Sequence, residues 1–189
     1  MPQLELLEKI VKFLTANNIQ YMLTGSIVSS LQEIPRSTHD IDVIISITKA
    51  DIPKIIMAFP QEDYYVNENS IKEAVSNKSQ FNILDINEGD KIDFWILTDS
   101  EFDKKRFERK QKVMLFNFEA YVSTAEDTIL QKLYWSKLSD GSRKQFDDAL
   151  NVFEIQYGKL DIKYMADWSK KLGIESLFDK IQSEAEFGE

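Results

Sequence analysis

Leu4, Leu7, Ile10, Val11 and Leu14 recur at helical spacing and predict an amphipathic opening helix that ends near Asn17-Asn18. Ile19 to Thr24 then reads as a short strand that delivers Gly25-Ser26. Ile27 to Leu31 fits the first turns of a second helix, which Pro35 ends. In the strand that follows, Ile41, Val43, Ile45 and Ile47 take one face, and Asp40 and Asp42 take the other. That alternation lets two carboxylates leave an apolar strand without entering the core. Asp51 to Phe59 predicts another helix, stopped by Pro60, and the segment Asn67-Glu68-Asn69-Ser70 is either a mobile loop or a short helix. Phe81 to Ile86 and Lys91 to Leu97 pair as strands about the turn Asn87-Glu88-Gly89-Asp90, and Val113 to Val122 adds a strand or a hairpin.

From Ser123 onward the strand signals stop. Ser123 with Glu126 has the pattern of a capping box, and three or four helices punctuated by Gly141, Gly158 and Gly173 follow. No internal repeat, low-complexity tract or flexible linker is evident. The elements together predict the α/β (α+β) class, with an α/β core over residues 1–122 and an α-helical C-terminal lobe over 123–189.

Composition narrows the classes. With 189 residues, 43% hydrophobic and 29% charged, the chain reads as an ordinary globular protein. No apolar run approaches the roughly 18 residues of a membrane span, so no membrane association is expected. The start, Met1-Pro2-Gln3-Leu4-Glu5, has neither a basic nor an apolar leader region, and cytoplasmic residence is the simplest expectation. The absence of cysteine excludes disulfides and thiolate metal sites. A net charge of −9 disfavours nonspecific nucleic-acid binding, which usually needs a basic face. Lys104-Lys105-Arg106 with Arg109, Lys110 and Lys112 is the one dense basic cluster. It reads either as a solvated helix end or as a contact surface for a polyanion such as a transfer RNA.

The candidate chemistry lies in Thr24-Gly25-Ser26 and, after thirteen residues, Asp40-Ile41-Asp42. A Gly-Ser turn behind a strand offers backbone N–H groups to a phosphate, although Ser26 also fits a plain helix cap. Carboxylates at i and i+2 on a strand project to one face, where they can share a hard, oxygen-seeking metal ion. Asp93 is a third strand aspartate, on the face it shares with Lys91 and Trp95. Phosphate holder and carboxylates together make a kit for metal-assisted chemistry on a nucleoside triphosphate. His39, the only histidine, reads as structural or solvent-facing, and Arg36 either reaches a phosphate or pairs on the surface.

The pattern Gly25-Ser26, thirteen residues, Asp40-Ile41-Asp42, then Asp93 resembles the signature of the nucleotidyltransferase superfamily, the polymerase-beta-like fold. The stretches 21–26, 35–42, 125–133 and 142–148 are similar to a group of small bacterial nucleotidyltransferase-like proteins related to abortive-infection toxins. The resemblance implies a mixed sheet flanked by helices, and a metal triad of Asp40, Asp42 and Asp93 holding Mg²⁺. It also implies that Asp93 serves as a second metal ligand or as a base toward the acceptor. Lys132 it assigns to the triphosphate, where the residues alone also allow a lysine that lays its stem on an apolar face. Asp148 matches the group's pattern and is taken as a further nucleotide-binding residue. The implied activity moves a nucleotidyl group from a nucleoside triphosphate to an unidentified acceptor: a transfer RNA, a protein hydroxyl or a small molecule. Two other readings stand beside it: a toxin held in check by an antitoxin partner, and a non-catalytic nucleotide-binding module that kept the fold.

Overall fold

The structure, a computed structural model, describes residues 2–25, 28 and 40–186. The chain divides into two compact units, one of Met1–Ile27 with Ser37–Val122, the other of Val28–Arg36 with Ser123–Glu189.

The first unit opens with α1 (Pro2–Ala16), whose Leu6, Leu7, Ile10, Val11 and Leu14 are buried. The helix stops where Asn18 takes a left-handed φ of 54°, a conformation that asparagine tolerates better than most residues. β1 (Gln20–Thr24) follows, and β2 (Asp40–Ser46) lies antiparallel beside it. A 3₁₀ turn (Lys49–Asp51) leads into α2 (Ile52–Ala58) and the two-residue β3 (Tyr64–Tyr65). The segment left open between loop and helix is a helix, α3 (Glu68–Asn77), because the Asn67 side chain accepts the Ser70 N–H and starts it. β4 (Gln80–Asp85) and β5 (Lys91–Ile96) form the expected antiparallel pair. α4 (Glu101–Glu108) then precedes a hairpin of β6 (Gln111–Leu115) and β7 (Phe118–Val122).

The seven strands make one mixed sheet in the order β3-β4-β5-β2-β1-β7-β6. β2 runs parallel to β5, and β1 runs parallel to β7. Ile41, Val43 and Ile45 of β2 and Ile92, Phe94 and Ile96 of β5 point to one face and are buried, as the alternation predicts. Phe81 stacks on Phe94 with ring centroids 5.0 Å apart. The other face is divided along its length. Met22, Ile44 and Phe107 form a small apolar cluster, packed by Trp95 and Leu97, while the rows of β2 and β5 begin in charge.

The second unit consists, among the described residues, of α5 (Ala125–Leu138), α6 (Arg143–Ile155), α7 (Ile162–Leu172) and α8 (Glu175–Glu184). The predicted cap of α5 is displaced by one residue. Thr124, not Ser123, accepts the Asp127 N–H, and its hydroxyl donates to the Asp127 carboxylate. Seven consecutive residues of α5, Asp127 to Leu133, are buried, so this helix is enclosed all round by its neighbours. On α6 Phe146 and Phe153 are buried, while Tyr157, just past its end, is exposed. Asp148 shares the buried side with Val152, and Ile155 is exposed.

Candidate active site

β2 and β5 are the floor of the candidate site. Their parallel register sets Asp40 against Lys91, Asp42 against Asp93, and Ile44 against Trp95. Because side chains alternate along a strand, these six residues share one face. Two carboxylates directly opposite on adjacent strands repel unless something positive stands near them. The antiparallel neighbours bring Thr24 level with Asp42 and Asn82 level with Asp93.

Each aspartate has a donor from β5. The Lys91 ammonium lies 2.9 Å from Asp93 Oδ2 and 3.6 Å from Asp40 Oδ1. The indole Nε1–H of Trp95 donates to Asp42 Oδ1 at 3.2 Å. The carboxylates differ in exposure: the Asp40 side chain is 54% exposed and that of Asp93 14%. The hydrogen bond to Asp93, with the charges of Asp93 and Asp40 behind it, pushes the Lys91 ammonium above its ordinary range.

Gly25 completes the floor. Its φ of 70° is left-handed, and a Cβ there would fall 1.9 Å from Asp42 Oδ2. Only a residue without a side chain lets the backbone approach this carboxylate so closely. Ser26, Arg36 and His39 lie outside the described residues, as does the predicted helix from Ile27 to Leu31 apart from Val28.

The donors fit a hard divalent cation in kind, since all are carboxylate oxygens, and the bare cradle at Gly25 keeps Asp42 open to the backbone. Among the described residues, however, no group of three or more His, Cys, Asp or Glu side chains is drawn together as a metal cage. The contacts supply the reason: Asp40 and Asp93 turn toward Lys91, and Asp42 toward Trp95. Sequence reasoning placed Lys91 and Trp95 on this face without giving them a part. The signal was the i−2, i, i+2 row around Asp93, a cation and an indole flanking a carboxylate.

Lys132 and Asp148 belong to the second unit and meet each other. The Lys132 ammonium donates to Asp148 Oδ2 at 2.7 Å, with side chains only 5% and 4% exposed. The lysine therefore does not lay its stem on an apolar face with its head in water. In the first turn of α5, Asp127 accepts the Tyr164 hydroxyl at 2.7 Å.

The basic cluster is largely neutralised where it stands. Lys104 pairs with Asp99 at 3.0 Å, Arg106 with Asp103 at 2.7 Å, and Lys112 with Glu119 at 2.6 Å. Lys110 lies over the Phe107 ring, 4.1 Å from its centroid. A cavity of about 280 Å³ lined by Glu5, Leu6, Lys9, Tyr64, Asp85 and Glu88 contains none of the candidate residues. No helix among the described residues is long and apolar enough to cross a membrane.

No known family description and no curated protein matches the chain in sequence. Solved structures do match in fold. The antibiotic-resistance factor ANT(2'')-Ia aligns with a TM-score of 0.56 over 95% of this chain and 98% of its own, at 12% identity. An antigenic nucleotidyltransferase-like protein from Paracoccidioides brasiliensis aligns with a TM-score of 0.53 over 94% and 90%, at 14% identity. With this mixed sheet and these neighbours, the chain has the nucleotidyltransferase fold.

Proposed function

We propose that the chain transfers a nucleotidyl group from a nucleoside triphosphate to an acceptor hydroxyl. The observation that carries this reading is the in-register pair Asp42 and Asp93 on adjacent parallel strands, with Gly25 held bare against Asp42. The nucleotidyltransferase fold of the solved neighbours supports it. Fold alone does not fix an activity, so the site residues bear the weight.

Asp40, Asp42 and Asp93 would hold Mg²⁺, which when bound neutralises charge on the triphosphate. The backbone at Gly25 and Ser26 would hold phosphate through its N–H groups. The acceptor oxygen forms a bond to the α-phosphorus while the bond to the pyrophosphate oxygen breaks. Asp93, the less exposed of the two carboxylates paired with Lys91, serves either as a further metal ligand, with the acceptor's proton passing to water, or as the base that takes that proton, and pyrophosphate carries away the negative charge. Trp95 fixes the Asp42 carboxylate through its indole N–H, which is positioning work. On the resemblance, Lys132 and Asp148 are proposed to serve the triphosphate.

The acceptor is a protein hydroxyl or a small molecule before it is a transfer RNA. Lys104, Arg106 and Lys112 already have carboxylate partners, which leaves little uncompensated positive charge there to gather a polyanion.

Calorimetry of the four nucleoside triphosphates with Mg²⁺, on the wild type beside Asp40→Ala/Asp42→Ala, tests the site. Mg²⁺-dependent binding at millimolar affinity or tighter, lost in the double variant, is the expected result. Nucleotide carrying an α-phosphate label then identifies the acceptor by transfer of that label. Binding that is absent, or indifferent to the two substitutions, defeats the reading.

A further inference from the structure

Three carboxylates at the head of two adjacent strands make a locus of like charge, and one residue of the same face already answers it. The Lys91 ammonium touches Asp93 at 2.9 Å and stands 3.6 Å from Asp40, so one cation spans a carboxylate on each strand. Its position is set by register: Lys91 is opposite Asp40 and two residues before Asp93, so its reach covers both. The side chain is 36% exposed, with water available to receive the head group should it leave. Lysine suits such a post, being a compact charge on a flexible four-carbon stem.

We propose that Lys91 is a built-in stand-in for the metal ion. It holds Asp93 and Asp40 together in the metal-free protein and gives way when a divalent cation takes their oxygens. This inference rests on the proposed metal site and assigns Lys91 a positioning role within it. A monovalent ammonium and a divalent cation sharing those oxygens would repel each other at close range. The two therefore compete, and Lys91 sets how tightly the metal is held. A metal site so balanced binds weakly until a triphosphate adds its own oxygens, which ties metal loading to substrate arrival.

The test uses the full chain and Mn²⁺ as the probe. Lys91→Met removes the competing charge and keeps the stem, Lys91→Arg keeps the charge, and Asp42→Asn is the control for the site itself. Calorimetric titration should show Mn²⁺ bound at least tenfold more tightly by Lys91→Met than by the wild type. In EDTA the same variant should melt at a lower temperature than the wild type, since its carboxylates then repel without relief. Lys91→Arg should stay near the wild type in both measurements. If Lys91→Met does not fold, Lys91→Gln is titrated in its place, with the same gain expected. A folded, charge-removed variant that binds Mn²⁺ no better than the wild type overturns the stand-in role and leaves the metal site intact. If the wild type, Lys91→Met and Asp42→Asn all fail to bind Mn²⁺, the metal site falls, and this inference with it.

Discussion

Asp42 and Gly25 approach each other more closely than any side chain at position 25 allows. Gly25→Ala would set a methyl 1.9 Å from Asp42 Oδ2 at a φ of 70°, so the carboxylate must move. The left-handed backbone alone costs an alanine roughly 1–2 kcal/mol. The expected outcome is a folded protein destabilised by at least that much, with Mn²⁺ affinity reduced tenfold or more; urea unfolding and calorimetry read the two effects separately. The indole bond from Trp95 is a second residue-scale contact. Trp95→Phe removes a donor to a charged oxygen, a change that typically costs about 1.5–3 kcal/mol. A double-mutant cycle with Asp42→Ala, which removes the acceptor, should return a coupling of that order in urea unfolding. At this scale much was legible. Alternation placed Asp40, Asp42 and Asp93 on exposed faces and the isoleucines between them in the core. What alternation does not carry is register, because a strand's partner and its offset are non-local facts. So the contacts of Lys91 to Asp40 and of Trp95 to Asp42 became visible only with β2 and β5 side by side.

Among the helices, local rules decided more than pattern did. The turn before α2 is held by Asp51, whose carboxylate accepts the backbone N–H of Thr48 and pairs with Lys54 at 2.9 Å. Those contacts, the Thr48 N–H first, hold its carboxyl below the ordinary value of 3.8. A depressed pKa means the stabilisation is present above the unfolded value and is lost as pH falls through the folded one. Asp51→Asn should therefore be less stable than the wild type near neutrality, and the gap should begin to narrow below about pH 3.9 and close as the pH falls through the folded value. Urea unfolding across that range measures it. The cap of α5 shows the limit of the pattern: Ser123 and Thr124 are both good caps, and which backbone turns first is not written in the side chains. Lys132 was harder to place, since a lysine beside an apolar stripe usually keeps its head in water. Burial of α5 all round leaves no water to reach, and Asp148 on α6 provides the counter-charge. Lys132→Met alone should cost about 3–5 kcal/mol, because it strands a buried carboxylate. Lys132→Met with Asp148→Leu should recover most of that loss, since a buried ion pair replaced by apolar groups of similar size is often near neutral. The midpoints of urea unfolding for the three variants decide between these outcomes.

For the molecule as a whole, the class was legible because strand alternation ends at Val122 and helical periodicity takes over from there. The order of the sheet was not, since nothing local says that β5 lies beside β2 or that β1 joins β7 in parallel. The proposed site residues fall in both units, and that is open to measurement. Every proposed metal ligand lies in the first unit, whereas Lys132 and Asp148 lie in the second. Metal binding should then be indifferent to the buried pair. The double variant Lys132→Met/Asp148→Leu, once shown to fold, should keep its Mn²⁺ affinity within about twofold of the wild type. A change that small is about 0.4 kcal/mol, within the additivity expected of independent sites. If the two residues serve the triphosphate as the resemblance implies, nucleotide binding should fall in the same variant while Mn²⁺ binding holds. If nucleotide binding also holds, their whole part is to tie α5 to α6, and the triphosphate relies on the Gly25-Ser26 turn and the carboxylate-bound metal.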